Sequence, residues 1–169
     1  MYRKFASSLG SLALVGTAAF SEEQTSISRT LTDIAAGADR YDWPRVRDAF
    51  AETVTVDYTS LWGGEPATQS GDELVTAWSG FLPGFDITHH MVTNHTIQAL
   101  TDTAAVAQAD FTATHRIDDE LWVLGGRYDY MLEKTANRWV VTAMTMTALW
   151  ETGDRGLVAK AGARAAAAN

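Results

Sequence analysis

Apolar residues recur at helical spacing early in the chain. Ile27, Leu31, Ile34, Ala35 and Ala38 fall on one face, which predicts an amphipathic helix from Ser26 to about Asp39. Pro44 suits the first turn of a second, short helix capped by Asp42 or Trp43, with Val46 and Phe50 on one side of it. The period then changes. Val54–Tyr58 is β-branched and alternating, as a strand is, and Trp62-Gly-Gly-Glu-Pro66 is a loop. Ser70-Gly-Asp-Glu opens a third helix through Leu74, Trp78 and Leu82, closed by Pro83-Gly84. Long strands follow at about Thr88 to Leu100, Ala104 to Ile117, Leu121 to Glu133 and Arg138 to Trp150. Turns at Thr101-Asp102, Asp118-Asp119 and Ala136-Asn137 separate them. Helices first and a meander of strands afterwards predict an α+β fold with an antiparallel sheet. A long, curved sheet with helices over its concave face encloses a pocket.

Strand parity selects the side chains that can enter that pocket. Ala105, Ala107, Ala109, Phe111, Ala113, His115 and Ile117 share one face, so His115 points inward among apolar neighbours. In the next strand the apolar set is Trp122, Leu124, Tyr128, Tyr130 and Leu132. Between Thr88 and Leu100 both faces are mixed. His89, Met91 and His95 point one way and His90, Val92 and Asn94 the other, and parity does not choose between His89 and His90.

The two ends stand apart from this pattern. Arg3 and Lys4, the apolar run Phe5–Phe20 and the small residues Thr17-Ala18-Ala19 have the layout of a secretory signal over residues 1–20, or else of a loosely docked extension. The expectation is export to the periplasm or medium if the signal is genuine, and a cytoplasmic protein otherwise. The run is too short and too rich in small residues to span a bilayer. Residues 158–169 are Ala-rich and basic and read as a disordered tail, which leaves one domain over residues 22–157.

The formal net charge of -8 argues against a nucleic-acid partner, and the only basic cluster is Arg40, Arg45 and Arg47. The absence of Cys removes thiolate chemistry and Cys-ligated metals. Three of the four His crowd between His89 and His95. A neutral imidazole beside a buried carboxylate is an effective general base, and Asp39, Asp42 and Asp57 are all eligible carboxylates. A shared metal on His89 and His95 is disfavoured, because six residues of strand separate them by roughly 20 Å. His90 and His115 could share one across strands, but no acidic ligands complete such a site.

Several short segments, in order, resemble the scytalone dehydratase and SnoaL-like family, within the nuclear transport factor 2-like superfamily. They are Asp39-Arg40-Tyr41-Asp42-Trp43 with Arg45-Val46-Arg47, Val56-Asp57-Tyr58-Thr59-Ser60, Thr88-His89-His90-Met91-Val92-Thr93-Asn94, Thr114-His115-Arg116 and Arg138-Trp139-Val140-Val141. The resemblance spans Ile27 to about Trp150. It implies a cone-shaped barrel around an internal pocket, with Asp39, His90, Tyr58 and His115 as catalytic residues. Tyr128, Trp62, Phe111 and Asn94 are the expected substrate contacts. Two positions depart from the family: Ala38 stands where scytalone dehydratase has a Tyr, and Tyr128 where it has a pocket Asn.

The implied chemistry is that of a lyase without cofactor or metal. His90, oriented by Asp39, takes a proton next to a carbonyl, Tyr58 stabilises the enolate, and His115 places the leaving hydroxyl or the carbonyl. The substrate is then a small apolar, carbonyl-bearing cyclic or polyketide-like alcohol, and the protein a homotrimer or homodimer that engages no membrane. The same fold also serves isomerases, cyclases and dehydrohalogenases, and non-catalytic binders of lipophilic ligands.

Overall fold

The structure, a computed structural model, describes residues 11–136 and 138–168, with side chains from residue 19 onward. Residues 1–10 of the expected export signal, and Asn137 of the expected Ala136-Asn137 turn, lie outside the described residues.

Helix α1 (Ser11–Asp39) is longer than its apolar period indicated. Ile27, Leu31, Ile34, Ala35 and Ala38 are all buried, as their spacing required. Glu23 ties the helix to the sheet, accepting bonds from Lys134 and, at 2.6 Å, from the Trp139 indole N–H. The helix ends in a Schellman motif. The Asp42 N–H donates to the Gly37 carbonyl at 2.9 Å and the Tyr41 N–H to the Ala38 carbonyl at 3.2 Å. This puts Tyr41 at φ 56, a left-handed conformation that costs a non-glycine residue roughly 1–2 kcal/mol. Asp42 then caps α2 (Trp43–Asp48), accepting from the Arg45 N–H. Gly37 allows α2 to lie close, since a β-carbon there would meet Val46 Cγ2 at 2.7 Å.

The sheet comprises β1 (Phe50–Asp57), β2 (Ala67–Ser70), β3 (Ile87–Leu100), β4 (Ala104–Ile117), β5 (Glu120–Lys134) and β6 (Trp139–Gly153). Its order is β2-β1-β6-β5-β4-β3. The sheet curves but does not close: β2 and β3 remain as edges, and α1 packs against β3 and β6 in place of a β2–β3 pairing. Nor is it wholly antiparallel, because β1 pairs with β6 in parallel. The four strands and the helices between them along the chain supply the long crossover that a parallel pair needs.

Four elements differ from the sequence reading. The short helix α3 (Thr59–Trp62) and strand β2 (Ala67–Ser70) went unread and flank the expected loop, of which only Trp62 is helical. The third helix, α4 (Gly71–Ser79), is shorter than expected, and a separate 3-10 turn follows at Leu82–Gly84. A capping box between Ser70 and Glu73 opens α4. The supposedly disordered tail is helix α5 (Leu157–Ala168). Its Leu157, Ala161 and Ala165 recur every four residues and are buried, so the Ala-rich composition concealed an apolar stripe.

Candidate functional site

On β3 the alternation resolves the His89–His90 ambiguity. Thr88 is buried and His90 half-buried on the concave side, whereas His89 is exposed. Asp39, at the last turn of α1, reaches three polar groups of this stretch of strand. It accepts from the Thr88 hydroxyl at 2.9 Å and the His90 main-chain N–H at 2.7 Å, and pairs with His90 Nδ1 at 2.6 Å. A carboxylate at a helix C-terminus opposes the helix dipole, so its presence there needs such compensation.

Burial alone would raise the Asp39 carboxyl. The His90 ring, its charge and its main-chain N–H, with the Thr88 hydroxyl, outweigh burial and hold it below the usual carboxylate range. An ionised carboxylate can only accept, so Nδ1 of His90 carries the proton of that bond. In the neutral ring the lone pair is then on Nε2, the opposite edge, and His90 borders the cavity.

That cavity encloses about 140 Å³. One water needs roughly 10–15 Å³ on this measure, so there is room for a small ring compound. The lining is mainly apolar, from α1, β3–β6 and the segments around α3 and α4. His115 faces it from β4, only 4% exposed. The ring lies between Trp122, stacked at 4.7 Å, and Phe85 at 4.9 Å, and meets His90 edge-on at 5.3 Å. Burial, and secondarily the His90 charge, pull its pKa down to about 4, against weaker upward effects of the Trp122 main chain and Asp39. His115 is therefore neutral near pH 7, and its buried Nδ1 has no protein partner among the described residues.

Tyr58, Tyr128 and Tyr130 also line the cavity, and among the described residues none of their hydroxyls bonds to protein. Burial raises all three phenols, reinforced at Tyr58 by Tyr128 and Tyr130 and at Tyr130 by Tyr128. They stay protonated and can donate to an acceptor oxygen. Ser60 anchors this end: its hydroxyl donates to the Met146 carbonyl at 2.6 Å and accepts from the Ala148 N–H at 3.0 Å.

Asp39, His90, Tyr58 and His115 thus converge, with Tyr128, Phe111 and Trp62 on the cavity wall. Trp62 is 48% exposed and stands over Trp122 at 5.9 Å, at the rim. Asn94 does not join them. It lies at a β3 bulge with φ 55, exposed, donating to Asp110 at 2.7 Å, so its side chain spans the bulge and does not contact the cavity. Asp42 caps α2, and Asp57 closes a turn before α3, accepting from the Thr59 N–H and hydroxyl. Thr88 was missed, although its position two residues before His90 on the same strand face was the available signal. Tyr130 had only been placed on the apolar face. No cluster of three His, Asp or Glu that could hold a metal occurs among the described residues.

Comparison with known proteins gives three kinds of result. The family described as SnoaL-like domain matches residues 19–145. No curated protein matches the sequence. Solved structures of similar shape include the Kfla4162 protein from Kribbella flavida, with TM-score 0.72 and 23% identity over 84% of this chain and 99% of that one. A protein provisionally named a scytalone dehydratase from Novosphingobium aromaticivorans has TM-score 0.71 and 22% identity, over 82% and 92%. The hexachlorocyclohexane dehydrochlorinase LinA-type3 from Novosphingobium barchaimii has TM-score 0.63 and 13% identity, over 79% and 90%.

Proposed function

Because the chain belongs to the SnoaL-like domain family, we propose that it is a cofactor-independent lyase that removes water from a small, apolar, carbonyl-bearing cyclic alcohol. The observation that carries this reading is the His90 ring, held at 2.6 Å by an ionised Asp39 and bordering an otherwise apolar cavity. His90 Nε2 takes the proton from the carbon beside the carbonyl, and the C–H electron pair moves onto the carbonyl oxygen. Phenols of Tyr58 and Tyr128 donate to that oxygen as its charge grows. The pair then returns, the C–O bond to the hydroxyl breaks, and the departing hydroxide takes the His90 proton and leaves as water. His115, being neutral, accepts a hydrogen bond from the substrate hydroxyl. Asp39 keeps the imidazole in its reactive tautomer and offsets its charge.

The test is turnover of a panel of cyclic hydroxyketones, followed by the ultraviolet absorbance of the conjugated product. The expected result is elimination by the native chain and loss in His90→Ala. Undiminished turnover in His90→Ala would overturn the reading. A similarly shaped dehydrochlorinase favours a second reading, in which the same base serves while a halide leaves, and halide release from chlorinated cyclohexanes tests it.

Two further expectations accompany this proposal. Exposed Met91, Met131, Leu149 and Trp150 support a dimer or trimer, which sedimentation would show. Export is supported by the layout of residues 1–20. Among the described residues the hydrogen bonds of α1 to the sheet begin at Glu23, so removal of the leader leaves them in place. N-terminal sequencing of the protein from its host is expected to begin near Phe20 or Ser21, and an intact Met1 would rule export by cleavage out.

A further inference from the structure

The matched family region ends at residue 145, yet α5, residues 157–168, is built into the wall behind His115. The Leu82–Gly84 turn is its seat. A β-carbon on Gly84 would lie 1.8 Å from the Ala161 carbonyl oxygen, so backbone touches backbone there and no side chain fits between. Ala161 is wholly buried and Leu157 nearly so, both within the main core. Charged contacts hold the helix in register. Arg164 pairs with Asp86 at 2.6 Å, and Lys160 lies 3.3 Å from Asp118 and 3.2 Å from Glu120. Asp86 also accepts from the Asp118 N–H at 2.7 Å, joining α5, the start of β3 and the β4–β5 turn through one carboxylate.

Between Gly84 and Asp86 stands Phe85. It is 3% exposed, packs edge-on against Phe81 at 5.4 Å, and covers one side of the His115 ring at 4.9 Å. Its backbone is held by the seat, its N–H donating to the Leu82 carbonyl. Trp122, covering the other side, is held by its indole N–H on Glu151 at 3.0 Å, and Arg155, just before α5, holds Glu151 in turn. Both covers of His115 are thus placed by the chain's last segment.

We propose that α5 and the seat at Gly84 are a positioning device for His115: the helix presses Phe85 onto the ring, keeping it dry and aimed at the cavity beside His90. Phe85 is the positioning residue, acting through His115 and not on substrate. The proposal concerns the ring's environment and does not depend on which reaction the cavity performs. The groups facing His115 that could answer a change there are His90 and Asp39.

The test is the titration of the His115 ring, followed by NMR in the full chain, with thermal unfolding measured alongside. In the native protein the ring is expected to titrate near pH 4. Phe85→Leu, which keeps apolar bulk but removes the ring, and Gly84→Ala, which displaces α5, should each move it upward toward the ordinary value of about 6.5. The paired change Arg164→Ala with Lys160→Ala, which loosens the helix without touching the core, gives the same readout in smaller measure if Gly84→Ala does not fold. Phe85→Tyr should restore the native titration. A purely structural helix predicts lower melting temperatures with the His115 titration unmoved, and that result, in Phe85→Leu and the charge pair alike, would overturn the proposal.

Discussion

Two histidines meet edge-on in this cavity, each on a strand, and the residue type alone does not tell them apart. Their surroundings make them different instruments. His90 has a carboxylate on one nitrogen, sits at a sheet edge and keeps part of its surface open. His115 is sealed between Phe85 and Trp122, has no hydrogen-bonded carboxylate among the described residues, and is depressed to a pKa of about 4. One is equipped to carry a proton and the other to remain neutral. What separates them is a single ionised partner and a few ångströms of depth, which a motif of residue types does not express.

The sharpest way to break this comparison is to remove each ring. His90→Ala should lower the elimination rate by about two to four orders of magnitude, the usual worth of a general base. His115→Phe, which preserves the stacking on Trp122, should cost only about tenfold, the loss of one neutral hydrogen bond. Equal losses in steady-state kinetics would erase the distinction. Asp39→Asn comes next. An Asn can offer its amide N–H to Nδ1 and so favour the unreactive tautomer, and a fall of about a hundredfold or more in kcat is expected, with circular dichroism unchanged.

The pH dependence of stability sharpens the contrast from the other side. His115 has a folded pKa of about 4 against about 6.5 unfolded, so between those values the unfolded chain binds more protons. Stability therefore rises with pH across this window. The contribution of a neutral buried ring is fully present above pH 6.5 and is lost as pH falls toward 4, by roughly 3 kcal/mol in all. Denaturant titrations at pH 7 and 4.5 should show the loss in the native chain and a smaller loss in His115→Phe. The smallest effect separates two carboxylates three residues apart. Asp42→Ala removes a helix cap and should cost about 1 kcal/mol of unfolding free energy, with turnover unaltered.

Much of this molecule was legible where one physical requirement acted alone. The period of Ile27 to Ala38 needed only one buried face, and the alternation of Ala105 to Ile117 needed only the pleat. Both survive intact, with every inward residue buried. Where two requirements competed, the reading failed. Asn94 followed the parity of β3 until a bulge between Thr93 and Thr96 turned it outward. Residues 157–168 combined low complexity with a four-residue stripe, and composition masked the period. Strand β2 is too short to show alternation and exists because Thr53–Val56 offers it a partner. The Asp39–His90 pairing joins the end of a helix to a strand about fifty residues away; local pattern leaves Asp42 and Asp57 equally eligible, and it was family resemblance that pointed to Asp39. Thr88 shares the strand face of His90 and Tyr130 the apolar face of β5, but parity ties neither to Asp39 or to the other phenols.

Asp39 has one more consequence. Strand β3 is the outermost of the sheet and fourteen residues long, and such a rim is a template on which another extended chain can add. The His90 N–H points out along that rim, and the Asp39 carboxylate occupies it. The group that orients the imidazole therefore also acts as a gatekeeper against self-association. Asp39→Ala should leave the rim amide bare and shorten the time the protein stays clear in concentrated solution. Asp39→Asn, whose side-chain carbonyl can still accept from that amide, should remain dispersed. Light scattering of the two variants side by side would then report on the carboxylate's service to the sheet, separately from its service to the reaction.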